Sequence, residues 1–292
     1  MQIGVVFPQT EIEADAGAIR SYAEGVEQLG YAHLVAYDHV VGADPAVHEG
    51  WSMAYDVSTP FHEPLVLFGY LAAISSLELV TGVLILPQRQ TALVAKQVAE
   101  VDILSGGRLR LGVAIGWNAV EYQALGKDFT NRGGRIDHQV ALLRQFWTEH
   151  SVTQSTTDGD LVGVGIRPLP IQRPVPIWMG GMSDAAYRRI GRLADGWFPR
   201  VEPGPQLDAA RDVIADAAER VGRDPAAIGM EAEVSWTGRV DDLVAAVERW
   251  RSAGATHLSV STMGANLATA DAHVQVLADV ASSLGRSPAA TR

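Results

Sequence analysis

The sequence contains no cysteine. This absence excludes disulfides, thiolate catalysis, iron–sulfur clusters and zinc sites with cysteine ligands. No apolar run approaches the roughly 18 residues that a membrane span requires. The N-terminus also lacks the basic stretch and apolar core of a secretion signal. These absences predict a soluble, cytoplasmic protein that makes no contact with a membrane.

Positive charge is scarce as well, and lysine is nearly missing. Lysine occurs only at Lys96 and Lys127, and the 292 residues carry a formal net charge of -11. Such a chain lacks the basic surface with which proteins bind nucleic acids. An anionic cofactor would have to be held by local dipoles and a few arginines, against the overall field.

Several motifs that carry known chemistry are absent. The eight histidines are scattered, with no His-x-His at the end of the first strand and no His-Glu-x-x-His, so we expect no metal site. The sequence has no Gly-x-Ser-x-Gly nucleophile elbow. It has no P-loop, and no Gly-x-Gly-x-x-Gly opens a helix.

A strand–helix–strand unit over residues 78–118 organises what is present. Two short runs rich in β-branched residues, 78–87 and 108–116, flank a helical period over residues 91–104. The Ser-Gly-Gly sequence that follows residue 104 ends this helix. Such a unit is right-handed, and ligands of α/β proteins bind beyond the carboxyl ends of its strands.

The same alternation of strands and helices continues along the whole chain. Predicted strands cover residues 2–7, 32–36, 78–87, 108–116, 177–179, 196–198, 229–234 and 257–261. Predicted helices cover residues 15–29, 63–75, 91–104, 136–150, 185–194, 207–221, 240–253 and 271–284. This pattern predicts an α/β fold, a single (β/α)8 TIM barrel domain over residues 1–292. A frayed tail, residues 285–292, follows the last helix.

Three extra segments interrupt this alternation. Loops follow strand two (residues 42–60) and strand four (residues 118–135), and an excursion such as a hairpin precedes strand five (residues 151–176). The first loop carries Trp51 and Tyr55, which favours a lid or a pocket wall, since a long loop in a compact domain is usually functional or disordered. We interpret Glu63, at the start of the next helix, as structural rather than as a group that reaches the barrel rim.

The best-defined local site follows strand five. Gly180 and Gly181 allow a ligand to approach the backbone, and Ser183 begins a helix whose N-terminus offers free N–H groups. A phosphate fits this arrangement, beside Met182. The alternative is a tight turn in which Ser183 only caps the helix.

Two further strand ends carry polar or aromatic side chains. Asp38 and His39 end strand two, where a histidine is able to exchange protons near neutral pH. The alternative is a structural histidine held by loop carbonyls. Gly116, Trp117 and Asn118 end strand four, where they either stack on and hydrogen-bond to a planar heterocycle or form a packed turn.

These segments together resemble the luciferase-like monooxygenase superfamily, a group of (β/α)8 barrels that use flavin or deazaflavin. The similar segments are residues 38–41, 63–65, 81–87, 95–97, 102–108, 111–118, 176–181 and 194–199. The resemblance therefore covers about residues 3 to 200. The most similar subgroup is the actinobacterial set that uses the deazaflavin coenzyme F420.

The resemblance implies roles for the residues at the barrel rim. Strand three of this family carries a bulge, often with a non-proline cis peptide, that backs the central ring of the cofactor, and here it maps to Gly82 and Val83. His39 falls where relatives protonate substrate, which implies an acid or base. The implied cofactor-binding residues are Asp38, Gly82, Val83, Gly116, Trp117, Asn118, Gly180, Gly181 and Met182.

The sequence also differs from part of the subgroup. Some deazaflavin dehydrogenases carry a tryptophan shortly after the Asp-His pair and a glutamate in the strand-four loop. Val41, Gly42 and Trp117 occupy those neighbourhoods here. This difference counts against oxidation of a sugar phosphate and leaves the substrate open.

The resemblance gives one leading hypothesis and two alternatives. The leading hypothesis is an F420-dependent oxidoreductase that transfers a hydride between the deazaflavin and a small organic substrate under the lid. The second is an FMN-dependent monooxygenase supplied by a separate reductase, which needs a dry pocket. The third is a flavin-binding protein without turnover. Homodimers are usual in the family, so the resemblance also implies a homodimer.

Overall fold

The computed structural model describes residues 1–156 and 159–286, so the predicted tail lies outside the described residues from residue 287 onward. The strands are β1 (Gln2–Val6), β2 (His33–Ala36), β3 (Glu78–Thr81), β4 (Leu84–Ile85), β5 (Leu109–Ala114), β6 (Val152–Thr156), β7 (Gly159–Val164), β8 (Ile177–Gly180), β9 (Gly196–Phe198), β10 (Gly229–Ser235) and β11 (His257–Ser261). The helices are α1 (Ala16–Gln28), α2 (Pro64–Ile74), α3 (Thr91–Ser105), α4 (Ala119–Ala124), α5 (Arg132–Thr148), α6 (Asp184–Leu193), α7 (Pro205–Glu219), α8 (Val240–Ser252) and α9 (Ala270–Ser283).

A closed barrel of parallel strands forms the centre of the fold. The strand order is β3-β2-β1-β11-β10-β9-β8-β5, and pairing of β3 with β5 closes the ring at Leu79 and Leu109. The short strand β4 continues the third barrel strand and pairs with the upper part of β5. The predicted (β/α)8 barrel is therefore confirmed, and its strand carboxyl ends form one rim.

Helices cover the outside of the barrel and bury one stripe each. In α1 the buried side chains recur at helical spacing: Ile19, Tyr22, Ala23 and Val26. The Asp15 carboxylate caps this helix because it accepts the N–H groups of Gly17 and Ala18. Among the described residues, no helix combines the length and the apolar character that spanning a bilayer requires.

The predicted loop over residues 118–135 is wrong at both ends. Helix α4 occupies Ala119–Ala124, and α5 begins at Arg132 instead of residue 136. The side-chain oxygen of Asn118 accepts the N–H groups of Val120 and Glu121 and so begins α4. This helix is too short to show a helical period in the sequence.

The other two insertions agree with the sequence analysis. Strands β6 and β7 pair as an antiparallel hairpin before β8, as predicted. Residues 37–63, between β2 and α2, contain no helix or strand and include the predicted loop over residues 42–60, which is called the lid below.

The bulge in the third barrel strand lies between β3 and β4. The Gly82–Val83 peptide bond is cis, which confirms the feature that the family resemblance implies for these residues. A side chain at position 82 has no room, because its Cβ would lie 2.2 Å from Cγ1 of Val35. Glycine therefore allows the bulge to pack against β2.

Candidate active site

A cavity of about 330 Å³ opens at the carboxyl rim of the barrel. Its volume lies within the range of about 300–1,000 Å³ that is usual for small-molecule sites. The structure brings nearly all of the predicted site residues together here. Those that line the cavity are Asp38, His39, Gly82, Val83, Gly116, Trp117, Gly180, Gly181 and Met182. Asn118 does not line it and faces a neighbouring cavity instead.

Gly180 and Val83 both line this cavity and lie close together. A Cβ built on Gly180 would lie 3.6 Å from Cγ1 of Val83 and 3.8 Å from Cβ of Ala114, which are ordinary contact distances. A methyl group therefore fits at position 180 without a packing conflict among the described residues. Glycine leaves the backbone at this position accessible from the cavity, so a ligand is able to approach it closely.

A second cavity of about 380 Å³ adjoins the first at Gly180, Gly181 and Met182. It extends to Ser183, whose hydroxyl oxygen accepts the N–H of Ala186 and caps α6. Gly181 is required by packing, since its Cβ would lie 2.4 Å from Cβ of Ala186. The cap by Ser183, one of the two alternatives for this turn, is thus present. The phosphate site stays a prediction.

His39 lies between the main cavity and a third cavity of about 410 Å³ under the lid. Nδ1 of His39 lies 3.3 Å from Oε2 of Glu121 on α4. Nε2 of His39 makes no hydrogen bond to any residue that the structure describes. The imidazole is therefore oriented from one side and leaves its second nitrogen for a ligand.

Glu121 holds both this imidazole and the chain that leads into the lid. Its Oε1 accepts the N–H of Val40 at 2.5 Å and that of Val41 at 3.3 Å. Its Oε2 accepts an N–H of Gln88 at 3.1 Å. Burial raises the pKa of Glu121, but the hydrogen bonds from His39, Val40 and Gln88 outweigh burial and hold the pKa below its ordinary value. The carboxylate is therefore charged at neutral pH.

The sequence analysis missed Glu121 and was wrong about the strand-four loop. It found no glutamate there, whereas Glu121 lies on the helix that follows Asn118. Asn118 positions this helix through its cap, and its predicted contact with a planar heterocycle stays a prediction. The separation of 82 residues between His39 and Glu121 hid the pair, since only the barrel brings β2 and α4 together.

Asp38 has a structural partner on the rim. Its Oδ2 accepts the N–H of Ile85 at 2.9 Å, and its Oδ1 accepts an N–H of Arg89 at 2.7 Å. Burial raises the pKa of Asp38, although Arg89 and the Ile85 N–H oppose this effect. Both carboxylate oxygens are bound within the protein, so the carboxylate anchors β4 and Arg89. The predicted cofactor contact of Asp38 stays a prediction.

The same arginine holds the far end of the lid. Arg89 donates a second hydrogen bond to Oε1 of Glu63 at 2.8 Å. The other oxygen of Glu63 accepts the N–H of Val66 and caps α2. The structural interpretation of Glu63 therefore agrees with the structure.

An aromatic cluster encloses His39 beneath the lid. The ring centroid of His39 lies 4.8 Å from that of Phe61, 5.4 Å from that of Tyr55 and 5.5 Å from that of Trp117. Trp51 extends the cluster, 5.9 Å from Trp117. Tyr55 and Phe61 belong to the segment between β2 and α2, so this segment supplies apolar surface beside His39.

A buried ionic network forms the floor of the cavity. The Glu231 carboxylate accepts hydrogen bonds from Ser259 and Arg110, and its Oε1 lies 2.9 Å from Nε2 of His33. Burial raises the pKa of Glu231, but His33 and Arg110 outweigh burial and hold the pKa far below its ordinary value. Glu231 is therefore a fully compensated charge.

A second glutamate of β10 faces the cavity two residues later. Tyr37 lies next to Glu233 in the cavity wall, and Nη1 of Arg200 lies 3.9 Å from Oε2 of Glu233. Neither glutamate was predicted from the sequence, although Glu231 and Glu233 occupy alternate positions of the predicted strand. Carboxylates two residues apart in a strand point to the same face, so Glu231 and Glu233 both face the barrel interior.

The geometry supports chemistry on a flat ligand at the rim. The bulge at Gly82 and Val83 offers one wall, the backbone at Gly180 offers close approach, and His39 presents a nitrogen oriented by Glu121. Within the described residues, no group of three histidine, aspartate or glutamate side chains is arranged to hold a metal ion.

Comparison with known proteins agrees with this description. The sequence profile of the luciferase-like monooxygenase family matches residues 1–290. The uncharacterized protein Rv0940c of Mycobacterium tuberculosis is 39% identical over 208 residues, which cover 69% of this chain and 71% of that protein. An FMNH(2)-dependent dimethylsulfone monooxygenase of Pseudomonas fluorescens is 32% identical over 143 residues, or 47% of this chain and 39% of that protein.

A solved structure with the same fold carries a deazaflavin. An F420-dependent secondary alcohol dehydrogenase in complex with an F420-acetone adduct superposes with a TM-score of 0.77. The alignment covers 96% of this chain and 97% of that chain at 15% sequence identity, which is a likeness of fold.

Proposed function

The chain belongs to the luciferase-like monooxygenase family, and from this membership we propose that it is an F420-dependent oxidoreductase. It transfers a hydride between the deazaflavin and a small organic substrate held under the lid. Members of this family are oxidoreductases and monooxygenases, with F420-dependent and FMN-dependent enzymes among the related proteins.

The observation that carries this proposal is the His39–Glu121 pair beside the cis bulge. Hydride transfer from an alcohol, or to a carbonyl, requires that a proton leave or reach the substrate oxygen. Nε2 of His39 is available for that proton, and Nδ1 is held by the charged Glu121 carboxylate. Glu121 stabilises the imidazolium that forms when His39 accepts the proton, and so acts as a positioning residue.

The remaining groups of the site bind and orient. Gly82 and Val83 would support the ring of the deazaflavin, and Gly180 and Gly181 would lie against its phosphate-bearing tail. When bound, the deazaflavin supplies the hydride chemistry, which the side chains of this chain do not. The aromatic cluster of the lid excludes water from His39 and the substrate.

Titration of the protein with each cofactor tests the proposal. Trp117 lines the cavity, so its fluorescence should be quenched as F420 binds, whereas Trp178 is buried beside Phe198 and does not line the cavity. We expect micromolar or tighter binding of F420, together with bleaching of its visible absorbance on addition of a secondary alcohol such as 2-propanol. Absence of quenching by F420 would contradict the proposal.

A second function, FMN-dependent monooxygenation, is favoured by the apolar lid and by the similarity to the dimethylsulfone monooxygenase. Such an enzyme would need a separate reductase to supply reduced FMN. Micromolar binding of FMN without binding of F420 would support this function. Binding of either cofactor without turnover by the wild-type protein would indicate a flavin-binding protein.

Two statements about assembly and partners belong to the same proposal. A small-molecule substrate is the expected partner, and a homodimer is the expected assembly because homodimers are usual in the family. Light scattering of the purified protein at several concentrations tests the dimer.

A further inference from the structure

Glu233 is an incompletely compensated carboxylate in the wall of the main cavity. It lies on β10, two residues beyond Glu231, and 30% of its side chain is accessible. The Tyr37 side chain lies next to its carboxylate in the same cavity wall. Glu231 is only 2% accessible and is bound by an arginine, a serine and a histidine, so the two glutamates have different surroundings.

The cation beside Glu233 is loosely placed. Arg200 comes no closer than 3.9 Å, which is near the limit of an ion pair and too long for a hydrogen bond. The Arg200 side chain is 57% exposed, so solvent screens its charge. A ligand with its own positive charge is able to approach Glu233 more closely than Arg200 does.

Four aromatic side chains line the cavity that this carboxylate faces. Tyr37, Tyr55, Trp117 and Phe198 all line the same cavity. Aromatic faces attract organic cations, and they offer little to an anion. Burial raises the pKa of Glu233 although Tyr37 and Arg200 oppose this effect, which agrees with a carboxylate that lacks a close counter-charge.

We propose that Glu233 binds an amino group of the substrate, so that the enzyme acts on small organic amines that carry the reacting carbon elsewhere in the molecule. This inference rests on the proposed function in one respect, that the main cavity holds the substrate. Glu233 accepts hydrogen bonds from the ammonium group, Tyr37 orients the carboxylate, and the aromatic walls contact the carbon skeleton. The net charge of -11 attracts cationic molecules to the protein.

Three probes of equal size and different charge test this inference: benzylamine, benzyl alcohol and benzoate. Their affinities at pH 7.5 are measured by quenching of Trp117 fluorescence, with and without saturating F420. We expect benzylamine to bind about tenfold or more tightly than benzyl alcohol, since hydrogen bonds to a charged group are the stronger ones. Benzoate should bind more weakly than both.

Two variants act on the proposed contact in opposite directions. Glu233→Gln should abolish the preference, so that benzylamine and benzyl alcohol bind with about equal affinity. Arg200→Met should increase the affinity for benzylamine, because it removes the competing cation. Glu219→Gln, the same change at an exposed position on α7, is the matched control and should leave the preference unchanged.

A measurement of stability separates a binding role from a structural one. The raised pKa of Glu233 means that folding favours its protonated form, so its contribution to stability is complete below the ordinary glutamate pKa and is lost as the pH rises through the folded value. Glu233→Gln should therefore unfold at the same temperature as the wild type at pH 7.5, or at a higher one.

Several results would overturn the inference. These are equal affinity for benzylamine and benzyl alcohol, tightest binding of benzoate, or an unchanged preference in Glu233→Gln. Failure of F420 to bind the wild type would contradict the proposed cofactor while the preference for amines remained measurable without it. The proposed cofactor is therefore tested by F420 binding, and the proposed role of Glu233 is tested by the relative affinities of the three probes.

Discussion

At the scale of single residues, the site depends on which atoms of each polar side chain are already bound. Nδ1 of His39 is held by Glu121, and both carboxylate oxygens of Asp38 are held by Ile85 and Arg89. Asp38 and His39 are adjacent in the sequence, but they differ in whether a polar atom remains free to bind a ligand. Asp38 stabilises the rim, and His39 remains available.

Replacement of His39 tests its role in proton transfer. In His39→Gln we expect turnover with F420 to fall by about 10²–10⁴-fold, the usual contribution of a general acid or base. The affinity for F420 should change by less than a few fold, since His39 is one side chain among many in the cavity wall. Stopped-flow absorbance and fluorescence titration measure the two quantities.

A histidine outside the site provides the matched control for this measurement. His138 is exposed on α5, and its Nδ1 hydrogen-bonds to the carbonyl oxygen of Gly134 in the same helix. His138→Gln should keep full turnover. Equal activity of the His39 and His138 variants would contradict the proposed role of His39.

The missing side chain of Gly180 is the second feature that belongs to this scale. Gly180→Ala should fold normally, because the added Cβ makes only ordinary contacts at 3.6 and 3.8 Å. It should weaken F420 binding about tenfold or more, since the methyl group occupies space against which the cofactor is proposed to lie. Gly69→Ala, in α2 where an added Cβ meets nothing within 4 Å, should bind F420 normally. Unchanged affinity in Gly180→Ala would place the cofactor elsewhere.

At the scale of secondary structure, the short helix α4 has an effect larger than its length. Asn118 caps it, Glu121 lies in its first turn, and Glu121 in turn holds His39 and the N–H groups of Val40 and Val41. A change at the cap therefore reaches His39 through the helix.

Removal of this cap has two expected effects. Asn118→Ala should lower the free energy of unfolding by about 1 kcal/mol, the usual cost of a lost N-cap. It should also lower turnover several fold, because Glu121 loses its fixed position. Urea denaturation and steady-state kinetics measure these effects.

A second helix cap, which does not line the main cavity, controls for the loss of stability. Thr269 caps α9 by accepting the N–H of Ala272. Thr269→Ala should lose a similar free energy of unfolding and keep its turnover. Equal turnover in both cap variants would show that α4 does not position the reacting groups.

Elements with a clear apolar pattern are predicted from the sequence better than elements without one, for a physical reason. Repeated apolar positions predict strands β5 and β8 and helix α3. The bulge at Gly82 and Val83 was predicted from the resemblance to a family. Helix α4 has a single turn and a half, so its cap, not a period, defines it. Contacts such as that between His39 and Glu121 depend on how the barrel closes, which no local pattern contains.

At the scale of the whole molecule, the ionic floor joins distant parts of the barrel. His33 of β2, Arg110 of β5, Glu231 of β10 and Ser259 of β11 meet inside it. These four strands come from both halves of the sequence. The sequence analysis predicted the ring but not the charged groups within it, because a buried charge is expected only once its partners are known.

Loss of Glu231 should destabilise the fold in a pH-dependent way. Glu231→Gln leaves Arg110 without one of its buried partners, which should cost about 3–5 kcal/mol of unfolding free energy at pH 7. Because the folded pKa of Glu231 is lowered, its contribution is present above the ordinary glutamate pKa of about 4.3 and is lost as the pH falls. The difference from wild type should therefore narrow below about pH 4.

Urea denaturation at pH 7 and at pH 4 or below checks this dependence. Glu219→Gln, which changes an exposed glutamate, should match the wild type at both values. A difference between Glu231→Gln and the wild type that stays constant or widens in acid would contradict the assignment of Glu231 as a charged structural group.

The guanidinium of Arg89 binds Asp38 at one root of the lid and Glu63 at the other. The segment between them is thus a loop with a clamped base, and its closure does not depend on what lies at its tip. We therefore expect the segment between these two carboxylates to accept changes of length and sequence without disturbing the barrel. Such changes would alter the surface that covers the rim and leave the contact between His39 and Glu121 in place.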